Sequence, residues 1–419
     1  MIDRRRFLGI AAGAGAGLAI SPELLRAFHR AGAGLIQQGG KLIQRAIPST
    51  GEMLPIVGLG FSNHAGCADP AALKEVLKTF SDNGGRFFDT NFANEQKSQD
   101  AIVAILNEFG NRDKLFLSWR GYSPGPRPDA AAVKAHIETS LARLNAPRLD
   151  MVDLPNTPIF NSSHWAVLKE AKKEGRIRYI SAGVGTQTDT SELESLVRSE
   201  SIDFISFPYA IDNRGVEEKI LPFALERKIA VMVHWPFGGA GGQSCVSDRG
   251  LFGRVGNTPL PAWAAEFDAK TWAQFFLKYV ISHPAVTVAR VGTTKPHHML
   301  DNFGGGIGRL PNEAMRKRMA EFIDDIPLAV APVLLERYVG EYRSASGLTA
   351  TVRRDGETIF VKLGNNPEVP LVARSVLRFS DRQGSIFEFK IARPGPGPAV
   401  VTTGAILERG GEKILLEKK

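Results

Sequence analysis

From Met53 onward, short apolar runs alternate with segments whose apolar positions recur at helical spacing. The runs are rich in Val, Ile and Leu, which is typical of parallel strands buried on both faces, and each is followed by a helix-like segment. The eight runs are LPIVGLGF, RFFDTN, KLFLSWR, LDMVDLPN, RYISAGVG, DFISFPYA, IAVMVHWPF and VTVARVGT. Because such barrels are typically about 250 residues long, eight repeats within residues 51–330 predict an α/β protein with a closed (β/α)8 TIM barrel.

The pattern changes near residue 331, where apolar and polar positions alternate one by one. The stretch YVGEYRSASGLTATVRRDGETIFVKLG shows this alternation, and the tail also contains Asp-Gly and Gly-Gly pairs typical of tight turns. Residues 331–419 are therefore predicted to form a small antiparallel β domain. Its opening, LLERYVGEYRS, resembles the small lipocalin-like domain at the carboxyl end of some exported hydrolases, a resemblance that implies no function.

The amino terminus has the features of an export signal. Arg4 and Arg5 precede Phe7 and Leu8, and a mildly apolar Gly/Ala-rich run follows. Residues 1–21 therefore resemble a twin-arginine signal, which implies export of a folded protein to the periplasm. Because no clear A-x-A cleavage site follows, an uncleaved membrane tether stays open as an alternative, as does a basic, unstructured start. Residues 22–50 are predicted to be a helical linker.

Composition narrows the class of partner. The 419-residue chain has a net charge of +8, but its basic residues are scattered and no nucleic-acid-binding motif accompanies them, so we expect a small-molecule substrate and no nucleic acid. Cys67 and Cys245 are predicted to be unpaired thiols. No metal pattern is present, because the adjacent His297 and His298 would point in different directions on a helix.

Chemistry in such a barrel belongs to the loops that follow the strands. Three stretches there, LPIVGLGF, FDTN with KSQDAI, and PAVTVARVGTTKPHHMLDN, resemble the aldo-keto reductase superfamily. The segment from LPAWAAEFDAK to HHMLDN, with VMVHWPFGG upstream, is similar to the exported, twin-arginine branch of that superfamily. The resemblance covers roughly residues 53–327 and implies the same barrel fold.

The resemblance further implies that NADP(H) binds across the barrel mouth. The stretch GTTKPHHMLDN would hold the adenosine phosphate with hydroxyl groups, free N–H groups of a helix start and the charge of Lys295. His298 stands where many members carry Arg, so a permanent charge is lost there. The glycines of PFGGAGG would allow close backbone approach to the pyrophosphate, although both stretches are also compatible with ordinary barrel loops. The implied cofactor residues are Ser206, Pro236, Phe237, Gly238, Gly292, Thr293, Thr294, Lys295, His298 and Asn302.

The catalytic residues that the resemblance implies have largely been replaced. The superfamily uses a Tyr proton donor with a Lys, an Asp and a His. Asp89 matches the Asp, Arg120 stands at the Lys position, and the Tyr position falls on Asn94 or Glu95. Pro155 stands at the His position. Glu95 is a candidate replacement acid if burial raises its pKa, and the alternative for Asp89 and Arg120 is a purely structural ion pair.

The sequence leaves three functional hypotheses open. The first is an exported NADP(H)-dependent oxidoreductase with an altered proton relay. The second is a degenerate barrel that only binds a ligand or partner, with aromatic residues near the strand ends as stacking faces. The third is non-redox acid/base chemistry by Asp89 and Glu95. The aromatic residues in question are Trp119, Tyr122, Phe207, Tyr209 and Trp235.

Overall fold

A computed structural model describes most of the chain beyond residue 39. The described residues are 40–60, 70–90, 97–110, 112–120, 129–154, 162–184, 191–238, 250–256, 258–326, 328, 330–374, 376–381, 383–392 and 401–419. The residues predicted to form an export signal lie outside these ranges, as do both cysteines, Asn94, Glu95, Tyr122 and Pro155.

The first domain is a closed barrel of eight parallel strands arranged in chain order, with the last strand pairing with the first. The predicted (β/α)8 barrel is therefore confirmed. Its strands are β3 (Val57–Gly60), β4 (Phe87–Thr90), β5 (Phe116–Arg120), β6 (Leu149–Leu154), β7 (Ile177–Gly183), β8 (Phe204–Pro208), β9 (Ala230–His234) and β10 (Val286–Val291).

Helices lie between the strands and follow β10, and several of them bury one apolar face. Helix α1, for example, buries Leu73, Val76, Leu77 and Phe80, whose i, i+3, i+4, i+7 spacing places them on one side. The helices are α1 (Pro70–Asp82), α2 (Lys97–Phe109), α3 (Ala130–Arg143), α4 (Ser162–Lys173), α5 (Ser191–Ser199), α6 (Ile220–Arg227), α7 (Leu251–Val255), α8 (Trp272–Ile281), α9 (Pro296–Gly305) and α10 (Glu313–Asp325). Within the described residues, no helix combines the length and the apolar character needed to cross a bilayer.

A short hairpin precedes the barrel. Strands β1 (Gln44–Ala46) and β2 (Met53–Pro55) pair antiparallel. Ile47 and Leu54 of this hairpin are fully buried against the apolar side chains inside the barrel. The predicted helical linker over residues 22–50 was therefore wrong for 44–46, where pairing with β2 determines the conformation.

The second domain begins with helix α11 (Pro332–Leu335) and is a closed barrel of eight antiparallel strands. The predicted small antiparallel β domain is confirmed, and the interior is filled by aromatic rings such as Tyr338 and Phe389, which stack at 4.4 Å. The strands are β11 (Gly340–Arg343), β12 (Thr349–Asp355), β13 (Thr358–Leu363), β14 (Val369–Ala373), β15 (Arg378–Ser380), β16 (Ile386–Ala392), β17 (Val401–Arg409) and β18 (Glu412–Lys418).

Candidate active site at the mouth of the barrel

The interior of the parallel barrel is built from two tiers of side chains. The lower tier is apolar and contains one large residue from each of seven strands: Phe87, Phe116, Met151, Tyr179, Phe204, Met232 and Val288. Side chains two residues apart on a strand point to the same face. The upper tier, which we call the polar tier, therefore consists of the buried residues two positions further on: Asp89, Ser118, Asp153, Ser181, Ser206, His234 and Arg290, with Arg120 above Ser118. The polar tier lies at the carboxyl ends of the strands, where barrel enzymes place their chemistry.

Asp89 is the most heavily engaged member of the polar tier. One carboxylate oxygen accepts a hydrogen bond of 2.7 Å from the Ser118 hydroxyl, and the other is 3.3 Å from Nη2 of Arg120. Arg290 also donates to this second oxygen. Asp89 is fully buried, so it can act on a ligand only through these partners. The ion pair that the sequence suggested between Asp89 and Arg120 is present.

Asp153 forms the second acidic centre. Its Oδ1 accepts hydrogen bonds from the hydroxyls of Ser181 at 2.6 Å and Ser206 at 2.8 Å. Its Oδ2 is 4.0 Å from Nε of Arg120, too far for a hydrogen bond. Burial raises the pKa of the Asp153 carboxyl, while the charge of Arg120 and the two hydroxyls oppose this shift and the charge of Asp89 adds to it. The Ser206 hydroxyl, predicted as a cofactor contact, is thus engaged with Asp153.

His234, at the end of β9, is a further titratable group of the polar tier. The sequence analysis missed it. Burial lowers the pKa of its imidazole well below the usual value, and the charges of Arg120 and Arg290 lower it further, so the ring is neutral at pH 7. Within the described part of the chain, three buried atoms of the polar tier have no hydrogen-bond partner: Arg120 Nε, Asp153 Oδ2 and His234 Nε2. Buried polar atoms are normally paired, so these atoms indicate a place where a polar ligand completes the network.

The turn after β10 contains the predicted phosphate residues. Thr293 is buried, and its hydroxyl accepts a 3.1 Å hydrogen bond from the backbone N–H of Lys295 rather than facing outward. Lys295, which precedes the first residue of α9, and His298 are exposed, whereas Asn302 is buried on the inner side of α9. Burial, with the charges of His297 and Lys295, lowers the pKa of His298, so Lys295 is the permanent positive charge here. The exposed helix start fits an anionic cofactor group.

Pro236, Phe237 and Gly238 form the turn that follows β9. Gly238 has φ +72°, and a Cβ there would lie 2.8 Å from a carboxylate oxygen of Asp212, so glycine is required. The backbone carbonyl of Phe237 accepts a 3.1 Å hydrogen bond from the N–H of Leu251. The remaining glycines predicted to approach a pyrophosphate, at 239, 241 and 242, lie outside the described residues.

The aromatic residues proposed as stacking faces are mostly unavailable. Trp119, Phe207 and Tyr209 are fully buried, and the prediction that they face a ligand was wrong. Trp119 and Phe207 each lie three residues after an inward-facing Phe, so the alternation of the strand points them outward into the helices. Trp235, directly after His234, is half-buried and has a left-handed backbone with φ +49°.

A signal for the polar tier is present in the sequence but was not used. Each of seven strands contains a large apolar residue, a second apolar residue and then a polar one: FFD, FLS, MVD, YIS, FIS, MVH and VAR. With a period of two, this triplet places the first and third residues inside the barrel. It would have found Asp153, His234 and Arg290 beside Asp89.

Comparison with known proteins gives the family. The model of the aldo/keto reductase family matches residues 56–318. Aldo-keto reductase YhdN of Bacillus subtilis is 25% identical over 204 residues, which are 45% of this chain and 60% of that protein. The NADH-specific methylglyoxal reductase of Escherichia coli is 29% identical over 141 residues, which are 32% of this chain and 38% of that protein. The chain thus spans less than two thirds of the length of either relative.

The solved structure of aldo-keto reductase AKR11C1 from Bacillus halodurans, in its holo form, has a TM-score of 0.53 and 17% identity, covering 67% of this chain and 96% of that one. This likeness shows the same barrel fold. Because the family model covers more than half of its length, the chain belongs to the aldo/keto reductase family.

Proposed function

We propose that the protein is an NADP(H)-dependent oxidoreductase that reduces a small carbonyl compound, or oxidises the alcohol, with an altered proton relay. The observation that carries this proposal is the position of the Asp89–Arg120 pair in a polar tier at the carboxyl ends of the strands, in a chain whose residues 56–318 match the family model. The printed names of both curated relatives, as reductases, support the same class of reaction.

The cofactor would supply hydride, and the chain would supply its binding site. Lys295 offers a permanent charge to the 2′-phosphate, and the start of α9 offers the positive end of the helix dipole. Pro296 has no N–H, and the N–H groups of Lys295 and His298 donate within the turn itself. The neutral state of His298 at pH 7 weakens that phosphate site. One of the relatives is named for its use of NADH, so NADH is the cofactor against which NADPH has to be compared.

The proton relay would differ from that of the family. The polar tier of the described residues contains neither Tyr nor Lys, and Arg120 takes the position of the cation beside Asp89. Arg120 can orient and polarise a carbonyl oxygen through its guanidinium, whereas its high intrinsic pKa makes it a poor proton donor. Glu95, or water beside Asn94, is our candidate for the proton source.

We further propose that the protein is exported to the periplasm by the twin-arginine pathway, on the basis of Arg4, Arg5, Phe7 and Leu8. Cell fractionation of the full chain tests this proposal. Cytoplasmic protein contradicts it, and periplasmic protein that stays with the membrane after a salt wash favours the uncleaved tether.

A second candidate is a ligand-binding protein without catalysis. It is favoured by one observation: the buried carboxylate of Asp89 is paired with Arg120 and Arg290. A barrel without catalysis would retain this arrangement too, because breaking a buried ion pair is strongly destabilising. In this case the polar tier binds a small polar molecule that is released unchanged.

A titration of the purified protein with NADPH and NADH tests the proposal. The fluorescence of Trp235, which lies beside the turn at Pro236–Gly238, should be quenched by micromolar cofactor. Lys295→Ala should weaken NADPH binding about tenfold, the effect of losing one charge-assisted phosphate contact, and should change NADH binding little. Lys317→Ala, on the exposed face of α10, is the matched control. No binding at millimolar cofactor would favour the ligand-binding alternative.

A further inference from the structure

Charge and donor geometry in the polar tier limit the kind of substrate that fits it. Two guanidinium groups, Arg120 and Arg290, face two carboxyl groups, Asp89 and Asp153. Only Asp89 is hydrogen-bonded to both guanidinium groups. Asp153 instead receives two hydroxyl groups and remains 4.0 Å from Arg120 Nε. Nε of Arg120 is therefore not hydrogen-bonded to either carboxyl group of the tier.

Three atoms of the polar tier have no hydrogen-bond partner among the described residues: Arg120 Nε, His234 Nε2 and Asp153 Oδ2. The two nitrogen atoms are the ones that can donate to an anionic ligand, and His234 is only 2% exposed. Burial lowers the pKa of His234, and the charges of Arg120 and Arg290 lower it further. The same two positive charges attract a negative group to this part of the tier. A planar guanidinium with a free N–H and a neutral imidazole donor suits the two oxygens of a carboxylate.

We propose that the polar tier binds the carboxylate of a small 2-oxo acid through the guanidinium of Arg120 and Nε2 of His234, which makes carboxylate-bearing carbonyl compounds the substrate class. This inference rests on the proposed function for the reduction of the neighbouring carbonyl, but binding of the carboxylate does not require the cofactor.

The number of charges favours a monoanion over phosphate. Asp89 and Asp153 lie in the same tier as Arg120, and each repels a second negative charge on the ligand. A planar monoanionic carboxylate therefore fits the tier better than a more highly charged group. A phosphate dianion carries that second charge, so inorganic phosphate is the discriminating probe.

The test is isothermal titration of the full-length purified protein, without cofactor, with pyruvate, with its uncharged analogue pyruvamide and with inorganic phosphate. We expect pyruvate to bind at least tenfold more tightly than either of the other two. Arg120→Gln should weaken pyruvate binding at least tenfold and leave pyruvamide binding within about twofold. Arg176→Gln, which removes an equivalent charge far from the mouth, should leave all three affinities unchanged.

A second variant keeps the test decisive if Arg120→Gln does not fold. His234→Phe retains a neutral aromatic ring and removes the Nε2 donor, and should weaken pyruvate binding several-fold. Equal affinities for pyruvate and pyruvamide, tighter binding of phosphate, or pyruvate binding that neither variant changes would each overturn the inference. If the cofactor binds and pyruvate does not, this inference is wrong and the proposed function stands. If pyruvate binds and the cofactor does not, this inference stands and the proposed function is wrong.

Discussion

At the scale of single residues, the two buried carboxyl groups of the polar tier have different roles although they lie in the same environment. Asp89 is held by Ser118, Arg120 and Arg290, so its charge is compensated on all sides. Asp153 is held on one oxygen by Ser181 and Ser206 only, and burial raises its pKa. Both oxygens of Asp89 are therefore occupied by partners within the barrel, whereas Oδ2 of Asp153 has no hydrogen-bond partner among the described residues.

This difference predicts unequal costs for two matched substitutions. Asp89→Asn leaves two buried guanidinium groups without their carboxylate and should lower the free energy of unfolding of the parallel barrel by about 3–5 kcal/mol. Asp153→Asn keeps an oxygen acceptor for the two Ser hydroxyls and should cost about 1 kcal/mol or less. Urea denaturation followed by circular dichroism measures both values. Equal losses in the free energy of unfolding would mean that the barrel depends on the Asp153 carboxylate as much as on the Asp89 carboxylate.

At the scale of elements, the sequence predicted the strands well and the direction of individual side chains poorly. Each strand is a short apolar run followed by a helical pattern, so its existence could be recognised locally. Ser118 rather than Trp119 points inward, and the signal for this is the polar residue that recurs at the same place in seven runs, a regularity that appears only when the runs are compared with one another. The contacts of Asp89 with Arg290 join residues 201 positions apart, a separation that no local pattern encodes.

Helices α8 and α9 are joined by a buried cation that makes stability depend on pH. Nζ of Lys278 donates hydrogen bonds to the carbonyls of Ile307 at 2.6 Å and Arg309 at 2.9 Å, just beyond α9. Burial lowers the pKa of Lys278 from 10.5 to about 8. Between these two pH values the unfolded chain binds more protons than the folded chain, so the free energy of unfolding rises with pH. The energetic cost of burying the charged Lys278 is fully present below about pH 8 and is gone at pH 10.5.

The expected effect is measured as a difference between the wild type and Lys278→Met. The free energy of unfolding of the wild type should rise relative to the variant by about 3 kcal/mol between pH 8 and pH 10.5, from 1.36 kcal/mol for each unit of pKa change. Urea denaturation at several pH values gives this difference, in which the titration of other groups cancels. A difference that stays constant with pH would show that Lys278 titrates normally.

At the scale of the whole molecule, the second barrel is a unit with its own apolar core. Aromatic rings such as Tyr338, Tyr342 and Phe389 occupy its interior. Arg254 on α7, which is 5% exposed, is one polar link between the two barrels. Nε of Arg254 donates to the carbonyl of Ile326 at 2.9 Å, and Nη1 donates to the carbonyl of Arg374 at 2.5 Å. Arg374 in turn donates to the carbonyl of Asp324. Arg254 therefore connects α7 with the residue that follows α10 and with the residue that follows β14.

Replacing Arg254 should uncouple the two domains. Arg254→Met keeps much of the apolar stem but leaves the carbonyls of Ile326 and Arg374 unpaired, which should cost about 2–4 kcal/mol at the junction. Differential scanning calorimetry should then resolve two transitions where the wild type has one, with the earlier transition shifted down by several degrees. Arg353→Met is the matched control, because its exposed ion pair with Glu368 contributes about 1 kcal/mol or less. A single transition in both variants, at the wild-type temperature, would mean that apolar packing between the domains is sufficient without Arg254.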